Sequence, residues 1–144
     1  MTVRPATAAD VPRLVQLAQL EHARSRFKTQ RFVSEVAERN FEQAIAGMLT
    51  RVFISEERLG FIGGVLQPTL FNKFFTAYEL CWYAEDGSGL TLLKAFCEWA
   101  KKMRAVEVIV SNYAGIKEPE KFTRVLKRAG FDPIGSSYCM KLED

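Results

Sequence analysis

The chain has 144 residues, of which 48% are hydrophobic and 26% are charged, and its formal net charge is +3. These values are typical of one globular domain with its own hydrophobic core, and we expect a single domain over residues 1–144. The small positive charge gives no indication of a nucleic-acid partner, and aromatic and basic residues do not alternate as they do on single-strand binding surfaces. No apolar run is long enough to span a bilayer, and the first ten residues lack the apolar core of a signal peptide. We therefore expect a cytoplasmic protein with no membrane partner.

The cysteine and histidine content argues against a metal site. Cys81, Cys97 and Cys139 are widely spaced in apolar surroundings, which predicts buried, reduced thiols. The one histidine, His22, lies on a polar, basic stretch and is interpreted as a surface residue. No pair of cysteines has the spacing of a zinc site, so we expect no metal.

The first half of the chain predicts one strand, two helices and two further strands. In chain order these elements are the strand Thr2–Pro5, a helix that begins after the capping-box pattern Thr7–Asp10, the helix Phe32–Leu49, and the strands Arg51–Ser55 and Leu59–Leu66. A basic connector, His22–Gln30, joins the two helices. Gly63 and Gly64 weaken the last strand but allow a bulge or a close approach of the backbone.

The connector Thr69–Phe75 carries three phenylalanines, which is unusual for a wholly exposed segment. It is interpreted either as an apolar lip over an acceptor site, or as a loop folded onto the core or used in a dimer contact.

Residues 76–103 are the stretch most informative about function. Thr76–Ala84 has the aromatic and apolar content of a buried strand, Glu85–Gly89 is a turn with two glycines, and a helix with a broad apolar face begins at Leu90. The first amides of a helix have no internal partners and carry partial positive charge, and nearby glycines let a pyrophosphate approach them. The alternative is an ordinary strand-to-helix turn with Ser88 or Asp86 as the N-cap.

The remaining sequence predicts the strand Ala105–Ser111, the helix Glu118–Ala129 and two short strands within Asp132–Leu142. Pro119 suits the first turn of that helix, and Gly130 suits its end.

The central stretch resembles the acetyl-CoA-binding segment of the GCN5-related N-acetyltransferases, the GNAT superfamily. That segment reads Q/R-x-x-G-x-G/A and continues into a leucine-bearing helix; the corresponding residues here are Ala84, Gly87, Gly89, Leu92 and Leu93. Ala84 replaces the Arg or Gln that the family prefers, and the turn is shortened. The order of elements also matches the family over almost the whole chain. The resemblance implies an α/β (α+β) acyl-CoA N-acyltransferase fold, with a mixed, mostly antiparallel sheet of about seven strands, helices on both faces and a splayed central strand pair.

The resemblance also implies which residues bind the cofactor. The backbone of Trp82, Tyr83 and Ala84 would pair with the pantetheine arm of acetyl-CoA, as an added strand does. The pyrophosphate would lie on the N–H groups of Gly87, Ser88, Gly89 and Leu90. Asn112 matches a family position near the pantetheine or a catalytic water, although an asparagine that begins a loop is also ordinary turn chemistry.

Two catalytic roles follow in the same way. Glu79 matches the acid that serves as general base in many members, because only a neutral amine attacks a thioester; the alternative is a glutamate hydrogen-bonded for structure. Leu126 stands where many members carry the tyrosine that protonates the departing thiolate. Tyr113 or Tyr138 would substitute, and Tyr138 is the residue we predict; alternatively no acid is used, since a thiolate is a tolerable leaving group near neutral pH.

The implied activity is transfer of an acetyl group from acetyl-CoA to a primary amine of a small molecule or peptide, by direct attack. The alternative is a catalytically silent binding or structural module with the same fold. Basic residues near the first connector are interpreted as surface charges or as contacts for an acidic acceptor or phosphate: Arg24, Arg26, Lys28 and Arg31. The acceptor and the oligomeric state stay open, and homodimers are common in the family.

Overall fold

The computed structural model describes residues 2–111 and 119–142, which contain five strands and four α-helices. In chain order these elements are β1 (Val3–Pro5), α1 (Val11–Arg24), α2 (Ser34–Ala46), β2 (Thr50–Ser55), β3 (Gly60–Pro68), β4 (Phe75–Ala84), α3 (Gly89–Lys102), β5 (Ala105–Ile109) and α4 (Pro119–Arg128). Short 3-10 turns at Ala8–Asp10 and Arg26–Thr29 flank α1.

The strands form one mixed sheet in the order β1-β2-β3-β4-β5. Neighbouring strands are antiparallel from β1 to β4, and β5 runs parallel to β4. The predicted pair of strands within Asp132–Leu142 is wrong, because these residues are irregular and mostly exposed. Pro133 has no N–H to donate, and Gly135 has φ +146°, so the segment is poorly suited to a regular ladder. The described part of the chain therefore has five strands rather than about seven.

Helices cover both faces of the sheet, as predicted. On one face α3 buries Leu92, Leu93 and Phe96 against the apolar side chains of β2, β3 and β4. On the other face Leu14 and Leu17 of α1 pack with Ile54 and Phe61 of the sheet, and Phe41, Ala44 and Ile45 of α2 pack against this second cluster. These leucines recur at helical spacing, which explains why the sequence pattern located α1 and α3 correctly.

A bulge in β4 lies opposite two glycines of β3. Gly63 pairs with Cys81 and Gly64 pairs with Glu79, so Leu80 is an extra residue on β4. A Cβ on Gly64 would overlap the Phe96 ring and the Tyr78 carbonyl, which shows the close approach that the glycine permits. The bulge changes the direction of the side chains that follow it.

Three further expectations are corrected. α1 continues to Arg24, so residues 22–24, which were predicted to begin the connector His22–Gln30, belong to the last turn of this helix. Cys81 and Cys97 are half-buried, but Cys139 is exposed. In the connector Thr69–Phe75, Phe71 is 92% exposed, so this side chain does not fold onto the core, which was one of the alternatives for that loop.

No helix in residues 2–111 and 119–142 is both long and apolar enough to cross a membrane.

Candidate active site

The central feature of the molecule is a cleft that opens where β4 and β5 stop pairing. The last pair in their ladder is Tyr78 with Ile109, yet β4 continues to Ala84. Residues 79–84 therefore have no partner strand on this side within the described part of the chain. Both strand ends line a cleft of about 1400 Å³, together with α1 and α4.

Two walls face each other across this cleft. The first is formed by the end of α1 and the residues after it, and it includes Glu21, His22 and Phe27. The second is formed by β5, α4 and residues 131–137, and it includes Phe122 and Leu126. Leu126, the residue at the family's tyrosine position, thus contributes an apolar side chain to the cleft.

The N-terminus of α3 offers backbone donors beside the cleft. The first bond of the helix runs from the Leu92 N–H to the Ser88 carbonyl at 2.9 Å. The amides of Gly89, Leu90 and Thr91 precede it, so they have no partner inside the helix. Gly87 has φ +77°, a conformation that side-chain-bearing residues rarely adopt, and Gly89 lines the cleft.

One of the backbone amides that were predicted to bind the pyrophosphate already donates a hydrogen bond to a carboxylate of the protein. Asp86 accepts from the Ser88 N–H at 3.1 Å and from the Ser88 hydroxyl, and its other oxygen accepts from the Ser55 hydroxyl at 2.7 Å. Burial acts to raise the pKa of Asp86, but these hydrogen bonds outweigh it and hold the pKa below its usual range. The Ser88 amide is therefore part of a structural turn, while the amides of Gly89 and Leu90 have no partner inside the helix, and their binding of a pyrophosphate stays a prediction.

The indole of Trp82 lies between α3 and α4 within the cleft. Its centroid is 5.7 Å from that of the Phe122 ring, and a Cβ built on Gly89 would lie 3.7 Å from Trp82 Cζ2. Tyr83 points to the opposite face, where it is buried in the cluster under α1. Side chains therefore alternate along the end of β4, with Trp82 and Ala84 in the cluster under α3 and Cys81 and Tyr83 in the cluster under α1.

Glu79 lies in the cleft beside the bulge, and no hydrogen bond or ion pair joins it to another described residue. Burial, with a smaller contribution from the charge of Glu21, raises the pKa of Glu79 to about 8. Burial is the main reason that the pKa of the Cys81 thiol is raised, and the charges of Glu21 and Glu79 raise it further. A carboxyl group poised near neutral pH suits proton transfer.

Glu21 begins a chain of polar contacts along the α1 wall. Its Oε2 accepts from Arg24 Nε at 3.4 Å, and the Arg24 guanidinium lies 4.4 Å from the centroid of the Tyr83 ring. The Tyr83 hydroxyl in turn donates to Glu85. Burial is the main reason that the pKa of Glu21 is raised, and Arg24 opposes it.

The structure brings together five of the ten predicted site residues: Glu79, Trp82, Tyr83, Ala84 and Gly89 line the cleft. Gly87, Ser88 and Leu90 are not among the residues that line it.

Tyr138 is 95% exposed and does not line the cleft, so the structure does not bring its hydroxyl near Glu79. Asn112 lies outside the described residues.

Sequence reasoning missed the contribution of α1. Glu21 was not singled out, and His22 was taken for a surface residue; both line the cleft, and the Nε2 atom of His22 is buried. A usable signal existed, because Glu21 follows Leu14, Leu17 and Ala18 at helical spacing and so falls near the apolar face of α1.

No group of three or more potential metal ligands occurs in residues 2–111 and 119–142.

Comparison with known proteins supports the fold. The chain matches no protein-family model and no curated protein. Among solved structures, a predicted acetyltransferase from Clostridium acetobutylicum, solved with acetyl-CoA, has a TM-score of 0.76 and 18% identity, covering 97% of this chain and 95% of that one. A probable acetyltransferase has a TM-score of 0.73 and 18% identity, covering 100% and 99%. A transcriptional regulator from Bacillus halodurans has a TM-score of 0.75 and 16% identity, covering 98% and 99%.

Proposed function

From the mixed sheet and helix order that the chain shares with those acetyltransferase structures, we propose that this protein transfers an acetyl group from acetyl-CoA to a primary amine. The observation that carries the proposal is the open edge of β4, where residues 79–84 continue beyond the last pair with β5 and line the cleft. A free strand edge presents backbone N–H and C=O groups that bind an extended, amide-bearing ligand. The pantetheine arm of acetyl-CoA has this chemistry.

The cofactor end of the cleft would bind through backbone groups. Trp82, Tyr83 and Ala84 would pair with the pantetheine amides, and the amides of Gly89 and Leu90 at the start of α3 would bind the diphosphate. Gly87 would contribute through its left-handed conformation, which shapes the turn. Asn112 stays a prediction of the sequence.

Chemistry would take place beside the bulge. Glu79 would accept the proton of the bound ammonium group, and the neutral nitrogen would then form a bond to the thioester carbon. A backbone N–H of Trp82 or Tyr83 would stabilise the carbonyl oxygen as it gains charge. The carbon–sulfur bond would break, and the nitrogen would lose its second proton to solvent water. The thiolate would leave without an acid from position 126 or 138, because Leu126 occupies the wall and the Tyr138 phenol lies in solvent; Tyr113 lies outside the described residues.

A catalytically silent module is the second candidate, and one contact favours it. Asp86 places a negative charge beside the amides that would receive the diphosphate. At this range a like charge weakens anion binding.

Calorimetry with acetyl-CoA, followed by a thiol-release assay on a panel of primary amines, tests the proposal. We expect acetyl-CoA to bind at about micromolar strength and at least one amine to be acetylated. Binding without turnover on any amine would favour the silent module. If acetyl-CoA did not bind at all, the proposed function would be wrong.

A further inference from the structure

The charge of the cleft is opposite in sign to the charge of the chain. Although the formal net charge of the chain is +3, more acidic than basic side chains line the cleft. The acidic residues are Glu21, Glu79, Glu107 and Asp132, and the basic residues are Arg24 and Lys127. A cleft with this lining attracts cations.

Two of these residues line the α1 side of the cleft: Glu21 on α1 and Glu79 on β4. Glu21 is only 8% exposed, and its charge acts on Glu79. Arg24 is the ion-pair partner of Glu21, but its side chain is 52% exposed and its guanidinium also lies over the Tyr83 ring. A buried carboxylate needs a close, well-placed counter-charge, and this exposed arginine supplies it only in part for Glu21.

His22 adds an unsatisfied polar atom to the same wall. Its Nε2 atom is buried, and no hydrogen-bond partner for it exists among the described residues. Its ring packs against Phe32, with the centroids 5.4 Å apart, which holds the imidazole in the wall. The ring therefore contributes to the packing of this wall, because its buried Nε2 atom offers no surface to a ligand in the cleft.

Apolar side chains also line this side of the cleft, beside the polar Ser25 and Gln30. They are Ala18, Phe27 and Phe32 of the wall and Cys81 of β4. Such a surface binds a hydrocarbon or aromatic body better than a polar chain.

We propose that the α1 wall is the acceptor pocket and that it selects a primary amine that arrives as an ammonium ion on an apolar body, with Glu21 as the residue that selects for positive charge. The phenylalanines contact the apolar part of this acceptor. The inference rests on the proposed function, since it names the acceptor class for the same cleft.

An acidic acceptor fits this wall poorly. Its carboxylate would meet the carboxylate of Glu21, and like charges at short range repel. Two of the basic residues that the sequence offered for such an acceptor, Lys28 and Arg31, are exposed and do not line the cleft.

Calorimetry without acetyl-CoA tests the inference directly. The probes are three molecules with the same phenyl body: 2-phenylethylamine, 2-phenylethanol and phenylacetate. We expect the amine to bind most tightly, the alcohol to bind more weakly and phenylacetate not to bind. Phenylacetate binding as tightly as the amine would overturn the proposal.

Variants then assign the selection to Glu21. Glu21→Gln should weaken amine binding at least about tenfold, because a lost charge pair in a buried site is worth that much or more, and it should leave the alcohol almost unchanged. Glu21→Asp should restore part of the amine affinity. Glu42→Gln, on the exposed surface of α2, is the matched control and should bind like the wild type. Equal loss for the amine and the alcohol in Glu21→Gln, with an unchanged melting temperature, would show a packing role and overturn the proposal.

The outcomes of these experiments distinguish this inference from the proposed transferase function on which it rests. If the amine binds with the expected dependence on Glu21 but acetyl-CoA does not bind, the transferase function is wrong and the cation pocket stands. If acetyl-CoA binds and acetylation occurs without any effect of Glu21, only the pocket assignment is wrong.

Discussion

The two ends of the cleft differ in the kind of group that they present, because one end presents backbone groups and the other presents side chains. At the α3 end the groups proposed to bind are backbone amides and a free strand edge, made available by Gly87, Gly89 and the end of the β4–β5 ladder. At the α1 end they are the side chains of Glu21 and Glu79. On this proposal the first end should tolerate replacement of side chains, such as the alanine at position 84. The second end should depend on each side chain, so we expect it to set the acceptor.

The largest effect should come from placing a charge at the backbone-built end. Gly89→Asp should lower acetyl-CoA affinity by about 100-fold or more, because a carboxylate would stand among the amides that receive the diphosphate. Calorimetry measures the loss.

Gly89→Ala is the matched control. A Cβ at Gly89 has its nearest neighbour, Trp82 Cζ2, at 3.7 Å, which is ordinary contact, so we expect affinity within about threefold of the wild type. Circular dichroism should show both variants folded. Equal affinity in the two variants would mean that the diphosphate binds elsewhere.

The next effect should come from the side-chain-built end. Glu79→Gln should reduce kcat/KM by about 100-fold above pH 8, since it removes a general base. Burial raises the pKa of Glu79 to about 8, and only the ionised form accepts a proton, so the rate of the wild type should rise with pH through that value. The pH–rate profile of the acetylation assay measures both effects.

Glu42→Gln again serves as the control, because Glu42 is exposed on α2. The acceptor ammonium also loses a proton as the pH rises, and the rise in rate that this deprotonation causes should persist in every variant. A profile unchanged by Glu79→Gln would exclude Glu79 as the base.

A third, smaller effect concerns the bulge that separates the two ends. Gly64→Ala should destabilise the protein by about 3 kcal/mol, because the new Cβ would overlap the Phe96 ring and the Tyr78 carbonyl. Gly63→Ala should cost less than about 1 kcal/mol, since its nearest neighbour would be Val52 Cγ2 at 3.6 Å. Denaturant unfolding measures both changes. Similar stability in the two variants would show that the close packing of α3 on β3 is not needed.

The sequence predicted the fold well where the pattern is local. Leu14 and Leu17 on α1, and Leu93 and Phe96 on α3, repeat with the helical period and lie in the core as expected. The last segment was predicted as two strands, although Pro133 and Gly135 interrupt it and the structure leaves it irregular. A strand depends on a partner that is distant in sequence, so local alternation is a weaker guide there.

The same distinction explains the candidate site. The turn Glu85–Gly89 and the helix that follows it could be located from neighbouring residues alone, because backbone binding needs only glycines and a helix start. The electrostatic interaction of Glu21 with Glu79 could not, since it joins residues of α1 and β4 that are distant in sequence. The bulge at Leu80 could not be predicted from the sequence of β4 either, because the glycines that permit it lie on the partner strand β3.

The smallest effect should come from the residue that sequence reasoning named as a substitute acid. Tyr138→Phe should change kcat by less than about twofold, because the phenol is in solvent and lies outside the cleft. The assay is acetylation of the best amine at saturating acetyl-CoA, with Glu79→Gln as the positive control for loss of a catalytic group. A tenfold fall in kcat for Tyr138→Phe, with KM unchanged, would show that residues 131–142 close over the cleft during turnover. The thiolate would then leave with an acid, and both ends of the cleft would depend on side chains.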